Sequence, residues 1–213
     1  VKIGLCIPHT GIVSMRFAES LAALTGYTTS LTIDYNDRTE RAELALLGER
    51  DGPLDYKRIR AAQRALEWGA DYLLFLDSDH VFPKEALVRL MARNCPVIGS
   101  NYPTRGQNRP TAYDFDAQPV PSTAAQAEAD AVEAVAGLGL GFCLVKAPVF
   151  AAIRQPWFQT TIGEAGELVC GEDAHFCNRV RAAGIPILVD HALSVEIGHL
   201  GERVFTLADP VSR

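Results

Sequence analysis

The sequence Asp77-Ser78-Asp79 closes a five-residue apolar run, Tyr72-Leu73-Leu74-Phe75-Leu76. Residues two apart in extended chain share a face, so both carboxylates can meet one hard cation. Charge placed after a buried strand costs desolvation unless a partner compensates it. The alternative is a plain polar turn. Gly171-Glu172-Asp173 opens a helix. Its acids either cap the first turn or supply a general base that takes a proton from a hydroxyl. In Gly198-His199-Leu200-Gly201 the glycines allow close backbone approach and the imidazole can ligate a metal, against a merely structural histidine. Arg58, Arg60 and Arg64 sit on the helix before the Asp-x-Asp strand. Arg60 and Arg64 are four apart and can face phosphates together, or form a solvated face. Arg105, in Tyr102-Pro103-Thr104-Arg105-Gly106, can clamp an anionic group or lie in exposed loop.

The elements that position these groups follow from pattern. Lys2 to Ile7 reads as a buried strand. Residues 12–24 read as a helix with Ile12, Met15, Leu21 and Leu24 near one face and Gly26 as its stop. Tyr27 to Ile33 reads as a strand ending in a turn at Asp34, Asn36 and Asp37. Residues 38–47 read as a short helix closed by Gly48, and 55–68 as a longer one stopped by Gly69. The unalternating run 72–76 suits a strand buried on both faces of a parallel sheet. Pro83 suits the first position of a helix whose Leu87, Leu90 and Met91 face inward, and Pro96 to Gly99 reads as a strand. This β-α-β-α-α-β-α-β alternation predicts an α/β fold with a mostly parallel sheet covered by helices. In the second half, 116–130 reads as a mobile surface loop. Phe142 to Val145 and Ile185 to Val189 read as strands, and Pro148 to Ile153 and Gly171 to Gly184 as helical.

Composition bounds the function. A chain of 213 residues with 48% apolar and 22% charged residues can bury a full core as one domain. Twenty basic against 26 acidic residues leave a net charge of −6, which argues against non-specific nucleic-acid binding. No apolar run approaches the ~20 residues of a membrane span, and Pro8 breaks the short run after Lys2, so no signal peptide is expected. Five irregularly spaced cysteines without a C-x-x-C exclude a zinc finger or disulfide framework. Cys6, Cys95 and Cys143 read as small buried hydrophobes in strand-like runs. The expectation is a cytoplasmic protein, with peripheral membrane attachment left open.

Taken in order, Asp77-Ser78-Asp79, Gly139-Leu140-Gly141-Phe142-Cys143-Leu144-Val145-Lys146, Gly171-Glu172-Asp173-Ala174-His175-Phe176-Cys177, Val189-Asp190 and Gly198-His199-Leu200-Gly201 resemble a GT-A-fold glycosyltransferase. The likeness is to family-2-like bacterial and phage members and runs from about Lys2 to Gly201. It implies a GT-A (Rossmann-like) domain over 1–213, with a nucleotide-binding half (1–100) and a smaller, mixed acceptor-side half (101–213). It also implies sugar transfer, with inversion, from a nucleoside-diphosphate sugar to an acceptor hydroxyl. The cofactor implied is Mn²⁺ or Mg²⁺. The resemblance places Asp77 near the ribose or the metal, Asp79 and His199 on the metal, and Asp173 as the base, with Glu172 next in line. The resemblance further implies that Pro8, His9 and Thr10 lie under the nucleotide base and that Ser78, Tyr102, Arg105 and Gly141 join the substrate site. Where relatives often carry Ala-Arg-Asn, this chain has Ala61-Ala62-Gln63, so Arg60 or Arg64 stands in for the nucleotide-contacting arginine. Acceptor choice falls to 106–136, and a saccharide, a lipid-linked sugar, a protein and a modified base all remain open.

Two rivals stay open. Leu73 to Val81 also fits the Asp-nucleophile strand of HAD-type phosphatases, although two strands precede it and the later acidic signature is missing. A non-catalytic nucleotide-sugar-binding module is the other. A nucleotidyltransferase lacks its Gly-rich basic loop, because Pro8-His9-Thr10-Gly11-Ile12 is not one.

Overall fold

Strand β1 (Lys2–Pro8) leads into helix α1 (Met15–Ser30), capped by the Ser14 hydroxyl. A small antiparallel ribbon follows, β2 (Thr32–Tyr35) with β3 (Arg38–Arg41), then β4 (Glu43–Glu49), α2 (Leu54–Glu67) and β5 (Tyr72–Leu76). The chain continues through β6 (His80–Val81), α3 (Ala86–Ala92), β7 (Val97–Gly99), α4 (Ala124–Glu128), β8 (Val132–Val135) and β9 (Phe142–Lys146). It ends with α5 (Ala147–Ala152), β10 (Thr161–Ile162), β11 (Leu168–Cys170), α6 (Glu172–Ala182), β12 (Ile187–Asp190), α7 (His191–Ser194), β13 (Gly198–Leu200) and β14 (Val204–Phe205). This computed structural model describes residues 1–35, 38–105, 109–201 and 204–205. Asn36, Asp37 and Gly106, which the sequence reading placed in turns or loops, lie outside them.

Seven strands form one mixed sheet in the order β4-β1-β5-β9-β7-β12-β8. The pairs β1–β4, β1–β5 and β7–β12 are parallel, while β9 runs antiparallel between β5 and β7, and β8 antiparallel on β12. Alternation along β5 explains the layers. Leu73 and Phe75 point into a core shared with Ala61, Ala62 and Ala65 of α2 and with Phe150 and Phe176 of α5 and α6. Tyr72, Leu74 and Leu76 point into a second core with Phe17 of α1 and Leu87 and Leu90 of α3. Every residue of β5 is buried, as its unbroken apolar run requires.

Several elements differ from the sequence reading. The stretch 27–33 is not a strand; α1 runs through Gly26 to Ser30. Thr25, Thr29 and Ser30 bond back to carbonyls of the preceding turn, and burial of Leu24 and Thr28 against the core holds this β-rich sequence in the helix. Ile12 and Met15 are exposed, and the buried face of α1 carries Phe17, Leu24 and Thr28. Residues 38–47 are not helical. They form β3 and most of β4, which pairs with β1 over seven residues, so sheet pairing overrides the helix propensity of Ala, Leu and Glu. Pro83 precedes α3 by a turn instead of opening it. Residues 116–130 are no plain loop. Val120 is buried and Thr123 with Gln126 forms a reciprocal capping box that starts α4, which packs on α7. All five cysteines are free; Cys6 and Cys143 are buried, while Cys95 lies half-buried between α3 and β7 and not within a strand.

Candidate active site

The Asp-x-Asp turn leaves the carboxyl end of β5, which lies beside β1 and β9. Pro8, His9 and Thr10 at the end of β1 and Leu54 and Lys57 of α2 line one cleft of about 190 Å³ with Asp77, Ser78 and Asp79. The turn is held from three directions. The Asp77 amide donates to the Gly141 carbonyl at 2.9 Å, the Leu200 amide donates to the Asp79 carbonyl at 2.6 Å, and Gly141 N–H donates to the buried Tyr102 hydroxyl at 2.8 Å. Gly141 permits this crowding. A Cβ there would lie 2.6 Å from His80 Cε1 and 2.7 Å from the Tyr102 ring. Gly141→Ala is therefore expected to cost about 1–3 kcal/mol of stability, as overpacking does. Urea unfolding checks this; an unchanged midpoint refutes the crowding argument.

Strands β6 and β13 pair antiparallel with His80 opposite His199, which brings the late Gly-His segment onto the Asp-x-Asp turn. One ligand atom each from Asp79, His80 and His199 lies within 4.8 Å of the others. The His199 Nδ1–H donates to the Pro103 carbonyl at 2.9 Å, and its Nε2 sits 3.3 Å from Asp79 Oδ2. A carbonyl only accepts, so the proton is fixed on Nδ1 and the Nε2 lone pair is aimed at the carboxylate side, the arrangement that second-shell partners impose on metal-binding histidines. Burial holds His199 below the usual imidazole range, with the hydrogen bond to Pro103 and the charge of Asp77 opposing it and Arg105 adding to it.

His80 is fully buried, stacked on His199 with ring centroids 4.6 Å apart and edge-on to Tyr102 at 4.4 Å. Neither ring nitrogen has a hydrogen bond among the described residues, although Nδ1 lies 3.3 Å from Asp79 Oδ1. An unpartnered buried imidazole next to a carboxylate and a second imidazole fits a cation site. Burial lowers the His80 pKa to about 4, with Asp77 opposing. The unfolded chain therefore binds a proton between its ordinary value near 6.5 and pH 4 that the folded chain does not, and stability falls as pH drops through that window. With chelator present, the urea midpoint is expected to fall from about pH 7 to about pH 4.5, and less steeply in His80→Leu. Equal slopes in the two proteins would refute this assignment.

The remaining site residues separate into two groups. Arg58 is 2% exposed; its Nη2 donates to Asp77 Oδ1 at 2.9 Å and its Nη1 to Glu172 Oε1 at 2.8 Å. Asp77 thus faces a guanidinium and is absent from the Asp79–His80–His199 cluster, where the sequence reading had counted it as a metal ligand. Burial pushes the Asp77 carboxyl up, but Arg58 above all brings it below the usual range. Glu172 is raised by burial, which Arg58 only partly offsets. Asp173 is half-buried on the first turn of α6, and its one hydrogen bond among the described residues comes from the Ala174 amide at 2.7 Å. Arg105 places its guanidinium on Asp79, alongside His199. Arg60 and Arg64, by contrast, lie on the exposed side of α2, and Arg64 pairs with Glu49. They do not reach the cleft carboxylates; the arginine that does is Arg58, two residues before Arg60. His80 is a functional candidate the motifs pass over, and Arg58 is one that the arginine set contains but the pairing of Arg60 with Arg64 leaves aside. The only sequence signals were a histidine abutting Asp-x-Asp and a basic residue on the Ala61–Ala62–Ala65 face of α2.

No protein-family model and no curated protein matches the chain by sequence. Solved structures do match it in fold. "A197 from STIV" superposes with a TM-score of 0.62 at 19% identity, over 100% of this chain and 96% of that one. GalNAc-T7, crystallised with UDP, GalNAc and Mn²⁺, gives 0.55 at 13% identity over 94% of this chain and 44% of its own. The catalytic domain of Drosophila β1,4-galactosyltransferase 7, complexed with xylobiose, gives 0.54 at 13% identity over 94% and 71%. The likeness at these identities is one of fold: the α/β architecture, with its mixed seven-stranded sheet covered by helices, is GT-A-like.

Proposed function

We propose that this chain is a metal-dependent, inverting glycosyltransferase of the family-2-like kind, moving a sugar from a nucleoside-diphosphate sugar to an acceptor hydroxyl. The observation that carries the reading is the cluster of Asp79, His80 and His199, whose Asp79 also lines the cleft formed by Pro8–Thr10 and the Asp-x-Asp turn, on a GT-A-like fold. The neighbour bound to UDP and Mn²⁺ supports the same assignment. One carboxylate and two imidazoles form a nitrogen-rich set that suits Mn²⁺ better than Mg²⁺.

In this reading Pro8, His9 and Thr10 receive the nucleotide base, with Lys57 and Arg105 near enough to the cleft carboxylates to meet phosphate charge. Asp79, His80 and His199 would hold the cation, which when bound supplies Lewis-acid stabilisation of the departing diphosphate. Asp173 takes the acceptor proton as the hydroxyl attacks the anomeric carbon from the face opposite the diphosphate; the C–O bond to the diphosphate breaks as the new one forms. Tyr102 and Gly141 keep the Asp-x-Asp turn in place through their mutual hydrogen bond and the Asp77 amide. No helix among the described residues is long and apolar enough to cross a membrane.

The test is a panel of UDP-, GDP- and dTDP-linked hexoses, each assayed for Mn²⁺-dependent release of nucleoside diphosphate. Turnover of at least one supports transfer. Binding of Mn²⁺ and donor without any turnover replaces this reading with a binding module, and release of inorganic phosphate from monoesters replaces it with a phosphatase.

A further inference from the structure

Asp77 and Asp79 line the cleft, Glu172 is tied to Asp77 through Arg58, and Asp173 follows Glu172 on the first turn of α6. Their chemistry depends on which are engaged. A single buried guanidinium, that of Arg58, donates one nitrogen to Asp77 on the strand-end turn and the other to Glu172 on the first turn of α6. These two segments are far apart in sequence, and among the described hydrogen bonds no other joins the Asp-x-Asp turn to α6. We propose that Arg58 is a positioning residue that assigns the carboxylates their roles. It withdraws Asp77 from the cation and Glu172 from proton transfer, leaves Asp79 with the two histidines on one side and Asp173 free on the other, and fixes the span between them. The proton-transfer half of this inference rests on the glycosyltransferase reading; the cation half does not.

The physical case has three parts. A planar fork with two outward-facing N–H edges bridges two carboxylates in a fixed geometry, whereas an ammonium is a compact point charge on a flexible stem and does not fix the span between them. The side chain is buried, so removing it leaves two acids uncompensated, and the cleft would gain negative charge where Asp79 sits. Its third nitrogen, Nε, has no hydrogen-bond partner among the described residues, and the hydrogen bonds described for the fork go to these two acids. A misplacement of about 1 Å between reacting groups costs on the order of 10²-fold in rate, so a strut across the site matters even without touching substrate.

The experiment has two readouts. With Mn²⁺ alone as probe, Arg58→Gln is expected to bind the ion more tightly than wild type, on the order of tenfold, because a nearby positive charge is gone and the Asp77 carboxylate is released beside Asp79. A residue that merely supports the fold would give the opposite sign. With the nucleotide sugar that wild type hydrolyses fastest, Arg58→Lys is expected to lose about 10–100-fold in kcat with the KM for donor held within about threefold. Should the Arg58 variants fail to fold, Glu172 carries the test. Glu172→Met should lower kcat and leave Mn²⁺ affinity near wild type, and Glu172→Gln should recover most of the loss, because its amide oxygen still accepts from Arg58. Equal loss in both Glu172 variants would make Glu172 the base and overturn the assignment. So would unchanged or weaker Mn²⁺ binding in folded Arg58→Gln, or a kcat within about threefold of wild type in Arg58→Lys. If wild type hydrolyses no nucleotide sugar, the transferase reading fails, and the Mn²⁺ comparison alone still decides the role of Arg58.

Discussion

Asp173→Asn is expected to lower sugar transfer by about 10²–10⁴-fold, the usual worth of a general base, while Mn²⁺-dependent donor binding survives. The residue occupies the first turn of α6, where an acid is also a good partner for N–H groups and the helix dipole. The substitution separates the two roles. Asn keeps the size and most of the hydrogen-bond capacity of Asp and serves nearly as well at a helix start, but it cannot take a proton. The Ala174 amide can still donate to the side-chain oxygen, so the local structure should hold. Initial rates at saturating donor, with donor affinity from calorimetry, make the comparison. Transfer within a few-fold of wild type would leave Asp173 as a helix-start residue.

Asp79→Asn should show the reverse pattern. Asp79 faces His80, His199 and Arg105 at once and is the only carboxylate of the candidate cation cluster. Replacing it removes the charged ligand and keeps the shape. The affinity for donor in the presence of Mn²⁺ is expected to fall by about 100-fold or more, since even outer-shell changes at metal sites cost 10–100-fold. Wild type at about 100 times the dissociation constant gains about 2.7 kcal/mol of stability from ligand; Asp79→Asn should gain little. A thermal shift with Mn²⁺ and nucleoside diphosphate reads this directly. An Asp79→Asn protein that keeps the full shift would move the cation elsewhere. Between them the two variants distinguish donor-side from acceptor-side chemistry, because one loses binding and the other loses rate.

The local signals were strongest where burial is complete. The run 72–76 is a strand because five consecutive large apolar residues can be covered only from both faces of a sheet, and its end places Asp77 and Asp79 at the cleft. The helix over 55–68, the strand from Phe142 and the helix opened by Gly171 were legible for similar reasons of periodicity and punctuation. Segments at the sheet edge were not. The Ala- and Leu-rich stretch before Gly48 carries helix propensity, and only the free edge of β1, supplied by other parts of the chain, makes it β4. The Thr- and Tyr-rich end of α1 errs the other way, because burial of Leu24 and Thr28 outweighs β-propensity worth a fraction of a kcal/mol per residue.

Within the site, the sequence alone determined which residue types could do the chemistry and in what order they come: an Asp-x-Asp after a buried strand, an acidic helix start and a glycine-flanked histidine. Their assignment to partners was decided by tertiary structure. Asp77 and Asp79 are two residues apart and alike in composition, yet one meets Arg58 and the other meets His199, because α2 packs on one face of β5 and β13 pairs beyond its end. Arg58, Arg60 and Arg64 are alike as residues, but only Arg58 lies on the buried face of α2 among Ala61, Ala62 and Ala65, while the other two are exposed. Charge pairing depends on distance in space, and distance between segments separated by a hundred residues is set by packing, which no local pattern encodes.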